Sequence, residues 1–174
     1  MIILIITQYF WPENFRINDL TLNLKKKGHK VSALTGPPNY PAGFDYKSFD
    51  SNPKFFLKFN GKILRVPVIL RRKSNVNSFL NYNSFALSAS NFDLWKIRNK
   101  KIDIIFVNQP SPTTVGWPAL IVKFIKNVPI AFWVLDLLPD TLFALKIVES
   151  MLNRKLISII STFTKIIYKD GVQH

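Results

Sequence analysis

The sequence predicts a three-layer α/β domain with a mainly parallel sheet, and three observations carry that expectation. Four short apolar runs rich in β-branched residues recur along the chain, at 1–7, 30–36, 102–107 and 129–134. Runs this short and this apolar fit strands covered on both faces, as in a parallel sheet. The stretches between them contain amphipathic helical spacing, and each run ends in a bend rich in Pro, Asn, Gly or Asp. Strand, helix and strand in that order imply right-handed crossovers into one sheet.

The first run, Met1 to Thr7, is stopped by Pro12 in the bend from Gln8 to Asn14. A helix from Phe15 to Lys27 follows, with Ile17, Leu20 and Leu24 on one face. Lys25, Lys26 and Lys27 sit in its last turn and Gly28 just past it, the cation and cap signals of a helix end. Lys30 to Gly36 is the second strand, and the proline-rich stretch from Pro37 to Gly43 is a loop carrying Tyr40, with Phe44 and Tyr46 beyond it. Lys54–Phe59 and Lys62–Val68 are β-rich runs around Asn60-Gly61, a two-residue hairpin signal, and Pro67 places the second of them at an edge or in an irregular strand. Arg71, Arg72 and Lys73 form a basic knot expected to be exposed. Ser74 or Asn75 caps a long helix from about Val76 to Arg98, to which Phe79, Tyr82, Phe85, Ala86, Ala89 and Leu94 give a mostly apolar face, with Phe79 and Leu80 able to stand exposed beside the basic knot. After the third strand, a helix from Thr113 to Lys126 leads to the fourth, and a final helical region spans Asp140 to Lys169.

With 174 residues and 48% hydrophobic content, the chain fits one domain with a sizeable core and not a disordered chain. It has no cysteine and two histidines, so neither disulfides, thiol chemistry nor a metal site is expected. His29, in a helix-to-strand turn, reads as structural. The start lacks a basic leader, and no apolar run reaches the roughly 18 residues of a membrane span, so a cytoplasmic protein is expected. The net charge of +14 has two readings. One is a compositional bias toward Lys, Asn and Ile; the other is attraction to an anionic surface. Between Lys54 and Lys101 there are eleven basic residues and one acidic one, Asp93, which favours the second; no nucleic-acid motif is present.

Ligands of parallel sheets bind beyond the carboxyl ends of the strands. Those ends are Gln8–Phe15, Gly36–Gly43, Asn108–Pro112 and Asp136. No G-x-G-x-x-G follows the first strand, which argues against a dinucleotide-binding dehydrogenase. Asp136 is the leading candidate: a carboxylate ending a buried strand must be solvated, paired or used. Its other reading is a cap for the next helix. Glu13 and Asp140 join it as strand-end carboxylates, an acidic rim if they meet in space.

At this point the residues resemble a known family. Gln8-Tyr9-Phe10-Trp11-Pro12-Glu13-Asn14-Phe15-Arg16-Ile17-Asn18-Asp19-Leu20 is similar to the first loop and helix of family-4 GT-B glycosyltransferases. Gly28-His29-Lys30-Val31, the loop from Leu34 to Gly43, Asn108 to Gly116, and Phe132 to Asp140 resemble later segments of that family in order and spacing. The nearest resemblance is to fucosamine-transferring enzymes of colanic-acid and O-antigen type. It covers the chain from Met1 to about Tyr168 and implies a Rossmann-like N-terminal half, residues 1–174, lacking its last strand.

The resemblance implies retaining sugar transfer from a nucleotide sugar to a lipid-linked or polysaccharide acceptor, without metal or other cofactor. Asp136 would face the acceptor hydroxyl, although Leu135 stands where many relatives have His or Gln. Glu13, Asn14, Phe15, Arg16, Asn39, Tyr40, Asn108, Gln109, Pro139 and Asp140 would bind substrate. Many relatives carry a glycine pair near Asn14; this chain has none, and Arg16 offers a guanidinium instead. The family's donor-binding domain, with its Glu-x7-Glu motif, is expected on a separate chain or a separated reading frame. Arg71, Arg72 and Lys73 are expected to contact the anionic inner face of the plasma membrane, which makes the protein peripheral. The alternative is a non-catalytic membrane- or glycan-binding module, or an inactive remnant.

Overall fold

The computed structural model describes residues 1–41, 59–72, 75–109 and 113–135. Asp136, Pro139, Asp140, Lys73, Ser74, Phe44, Tyr46, the 54–58 run, the Leu94 side chain and the final helical region lie outside the described residues. The elements in chain order are β1 (Ile2–Ile6), α1 (Arg16–Lys26), β2 (Lys30–Thr35), β3 (Lys62–Arg65), α2 (Asn75–Ile97), β4 (Ile104–Gln109), α3 (Gly116–Lys126) and β5 (Ile130–Val134). A single 3-10 turn, Thr113–Val115, leads into α3.

All five strands form one parallel sheet in the order β3-β2-β1-β4-β5, which is the Rossmann-like order. The chain turns outward from β1 in both directions, so the sheet has its switch point between β1 and β4. In β1 the side chains alternate between the two faces. Leu4 and Ile6 pack beneath α2 and α3 with Leu34, Phe85, Val107, Ala119 and Val122. Ile3 and Ile5 join Phe10, Ile17, Val31 and Phe59 on the face that α1 covers. Two covered faces explain why the run has no polar alternation.

Helix ends follow local chemistry. Gly28 stands at φ +85 after α1, a region open to glycine without strain, and its N–H reaches the Lys25 carbonyl at 2.9 Å. Asn127 does the same after α3, at φ +49.

The hairpin reading of Asn60-Gly61 is corrected. Phe59 is helical, and β3 pairs in parallel with β2, with Ser32 opposite Lys62 and Thr35 opposite Arg65. Asn60, at φ +40, turns the chain from the helical Phe59 into β3, and Gly61 follows where a side chain has no room. A Cβ there would lie 2.4 Å from the Val31 carbonyl oxygen. On the apolar face of α2, Phe79 is 65% exposed, as is expected of a residue able to stand exposed beside the basic knot, whereas Phe85, Ala86 and Ala89 are buried together with the polar Asn81.

Candidate functional site

The carboxyl ends of β1, β2 and β4 meet at one edge, and the residues there make two distinct layers. The inner layer is polar and buried. Asn108, near the end of β4, donates from Nδ2 to the Thr7 hydroxyl at 3.1 Å, across the switch point. The Thr7 hydroxyl donates on to the Tyr9 carbonyl. Gln8 donates from Nε2 to Asn81 Oδ1 on α2 at 2.6 Å. Asn81 donates in turn to the Ile69 carbonyl at 2.6 Å and to Asn39 Oδ1 at 3.4 Å. Five separate segments are thus tied by amide side chains. Gln8 Oε1 and Asn108 Oδ1, both buried, accept from no donor among the described residues. A buried acceptor left this way calls for a donor from beyond the described residues, a water or a ligand hydroxyl among them.

Glu13 clasps the two loops above this layer. Its carboxylate accepts from the N–H groups of Phe10 at 3.1 Å, Asn39 at 2.9 Å and Tyr40 at 2.7 Å. Burial raises its pKa from 4.5 to about 6, against the pull of those three N–H groups and of the Arg65 charge. Arg65 reinforces the clasp, donating from Nη1 to the Gly36 carbonyl at 2.7 Å and from Nη2 to the Trp11 carbonyl at 2.5 Å. Gly36 fits tightly there, since a Cβ would meet Val68 Cγ2 at 3.2 Å.

The outer layer is aromatic. Tyr9 stacks on Phe15 with ring centres 5.3 Å apart and planes 12° from parallel. Tyr40 leans against both, at 5.4 Å from Tyr9 and 5.6 Å from Phe15, and is 42% exposed. Arg71 lies beside them. Its Nη1 donates to the Tyr9 hydroxyl at 3.1 Å and the Tyr82 hydroxyl at 2.9 Å, and its Cζ stands 5.3 Å from the Tyr40 ring centre. Burial pushes the Tyr9 phenol well above its ordinary range, so it stays protonated.

The residues expected to bind substrate therefore fall into groups. Glu13, Phe15, Asn39, Tyr40 and Asn108 come together at this edge, with Glu13 enclosed by loop amides and not facing solvent. Asn14 and Arg16 are exposed beside them at the start of α1, and Gln109 ends β4. Asp136, Pro139 and Asp140 lie outside the described residues. The basic knot is corrected at Arg71, which is half-buried inside the aromatic layer; Arg72 is exposed. Tyr82, Asn81, Gln8 and Arg65 were not among the expected site residues. Gln8 opens a strand end where ligands were expected, but nothing in the local sequence marks Tyr82, Asn81 or Arg65, because their roles come from contacts between distant segments.

No family model matches the sequence, and no curated protein does. Among solved structures, a glycotransferase of kitacinnamycin aligns with TM-score 0.53 at 10% identity, covering 75% of this chain and 29% of its own. The C-terminal domain of a hydrogenase from Pyrococcus furiosus aligns with TM-score 0.52 at 15% identity, covering 76% of this chain and 90% of its own. The chain spans less than a third of the glycotransferase's length. These likenesses establish an α/β Rossmann-like fold, shared with part of a glycotransferase.

Proposed function

We propose that this chain is the acceptor-binding half of a retaining GT-B glycosyltransferase of cell-surface polysaccharide biosynthesis. The observation that carries the reading is the exposed face of Tyr40 in its cluster with Tyr9 and Phe15, set at the sheet's switch-point edge above buried amides. Aromatic rings suit the apolar faces of sugars, and the acceptor oxygens of Gln8 and Asn108 suit their hydroxyls. The motif resemblance from Gln8 to Asp140 and the fold shared with a glycotransferase support the same conclusion. In this reading the acceptor hydroxyl oxygen bonds to C1 of the donor sugar while the bond from C1 to the phosphate oxygen breaks. The nucleotide diphosphate leaves, its freed phosphate oxygen taking the hydroxyl's proton, and Asp136 faces the attacking hydroxyl. No metal or other cofactor takes part, and the donor is held by a separate domain.

A membrane-contact role is favoured by a specific surface. Ile69, Leu70, Val76, Phe79 and Leu80 are exposed large apolar residues next to the cation of Arg72. Val76, Phe79 and Leu80 follow the i, i+3, i+4 spacing of one helix stripe. Among the described residues no helix is long and apolar enough to cross a membrane. A peripheral contact with an anionic inner leaflet, near a lipid-linked acceptor, fits that combination.

The test is saccharide binding by the purified chain, followed by NMR of its aromatic rings. Surface-polysaccharide oligosaccharides are expected to shift Tyr9, Phe15 and Tyr40 saturably, while labelled nucleotide sugar is not turned over until a donor domain is added. Absence of any saccharide response at those rings overturns the glycan reading; turnover by the chain alone overturns the half-enzyme reading.

A further inference from the structure

We infer that Arg71 is an oxyanion subsite of this crevice, so that the bound acceptor carries a phosphate or carboxylate close to its stacked sugar. The inference rests on the glycan reading for the word acceptor, and on Arg71's own surroundings for the anion.

The two arginines of the edge have different environments. Arg65 spends both terminal nitrogens on backbone carbonyls and lies near the Glu13 carboxylate. Among the described residues Arg71 meets neutral groups: two phenol hydroxyls and the rings of Tyr40 and Tyr82, the latter 5.6 Å from its Cζ. Among the described residues no carboxylate pairs with it. The nearby acid, Glu13, is already engaged by three backbone N–H groups. Both bonds leave from Nη1, which directs the Nε and Nη2 edge away from the tyrosine hydroxyls. That edge is the planar two-donor fork that matches a carboxylate or phosphate.

The fork is also held in place. Ile69, two residues earlier, is fixed at both backbone groups: its N–H donates to the Ser84 hydroxyl at 3.0 Å, and its carbonyl accepts from Asn81 at 2.6 Å. Tyr9 is positioned by its stack on Phe15, and Tyr82 by α2. A half-buried guanidinium with no counter-charge among the described residues carries a cost that ring contacts offset only in part. A bound oxyanion removes that cost while gaining two charge-assisted hydrogen bonds. Tyr9 touches both the guanidinium and the aromatic cluster, which sets the anion next to the sugar-stacking face.

The experiment titrates the chain with inorganic phosphate, pyrophosphate, glucuronate and neutral glucose oligosaccharides, following the Arg71 Nε–H resonance and calorimetric heats. Wild type is expected to bind at least one oxyanion saturably, with a shift at Arg71. The phosphate and glucuronate arms decide between a phosphorylated and an acidic-sugar acceptor. Arg71→Gln is expected to weaken that binding at least tenfold and neutral-saccharide binding at Tyr40 by clearly less, while Arg71→Lys recovers only part. Arg72→Gln, which alters a neighbouring exposed cation, should change neither. Tyr82→Phe keeps Arg71 and removes one anchor, so it should weaken oxyanion binding less than Arg71→Gln and guards against misfolding of the first variant. Oxyanion binding that survives Arg71→Gln, falls equally with Arg72→Gln, or never occurs overturns the inference. Oxyanion binding without any saccharide response leaves the subsite standing and removes the glycan reading instead.

Discussion

Glu13→Gln tests how the two loops of the crevice are held together. The carboxylate presents Oε1 to the Asn39 and Tyr40 N–H groups and Oε2 to that of Phe10. A glutamine with its oxygen toward Asn39 and Tyr40 keeps two bonds and turns its amino group onto the Phe10 N–H, donor against donor. One buried N–H then goes unsatisfied, which costs about 1–3 kcal/mol. For a chain of this size that lowers the melting temperature by roughly 2–12 °C. The pH dependence gives a second, sharper reading. Glu13's pKa is raised by burial from 4.5 to about 6 in the folded chain, so between those values the native state holds more protons than the unfolded one. Its contribution to stability is fully present below pH 4.5 and is lost as pH rises through 6, with an amplitude of up to about 2 kcal/mol. Glutamine has no such dependence. The stability gap between wild type and Glu13→Gln, measured by urea unfolding, should therefore widen on acidification from pH 7 to 4.5. Other carboxylates cancel in the difference. A gap that narrows would mean that the three N–H groups and Arg65 outweigh burial and hold the carboxyl low. A gap absent at every pH would refute the clasp altogether.

Arg65→Met removes the donors to the Gly36 and Trp11 carbonyls and should cost about 1.5–3 kcal/mol in urea unfolding; an unchanged midpoint would deny those bonds any structural weight. Gly61→Ala forces a methyl against the Val31 carbonyl and the Phe59 ring, and a loss of about 1–3 kcal/mol is expected by thermal denaturation, whereas wild-type stability would show that the turn relaxes freely. Chain binding to anionic vesicles should weaken with salt as screening demands and drop in Arg72→Ser and in Phe79→Ser/Leu80→Ser; equal sedimentation with neutral vesicles would leave the surface without a membrane role.

Strands were legible here because the sheet is parallel. Ile2 to Ile6 must be apolar on both faces, and nothing but a doubly covered strand asks for that over so short a run. The turn at Asn60-Gly61 was legible in its chemistry and not in its topology. Asn60 does take positive φ, as a hairpin would require, yet the same conformation also leads out of a helical segment into a parallel strand. Phe79 shows a different limit. On a helix it stands about 200° around the axis from Asn81, so one of the two must face out. Hydrophobicity alone selects Phe for the core; the structure buries Asn81 instead, because Gln8, Asn39 and Ile69 satisfy its amide.

That exchange bears on what the crevice is for. Burying an asparagine and leaving a phenylalanine 65% exposed is unfavourable twice over by transfer free energy. The amide network offsets the first by fixing the β1, β2 and β3 exits against α2, which is what places Tyr9, Tyr40 and Arg71 in contact. The second has no such offset within the described chain. An apolar stripe facing outward on the helix that anchors the crevice makes sense if that helix rests on something apolar while the crevice beside it is occupied. For an acceptor carried on a lipid, both conditions hold at one place. Under the proposed reading Arg71 and Arg72, adjacent in sequence, would divide the work: the half-buried first for the ligand's anion, the exposed second for the headgroups.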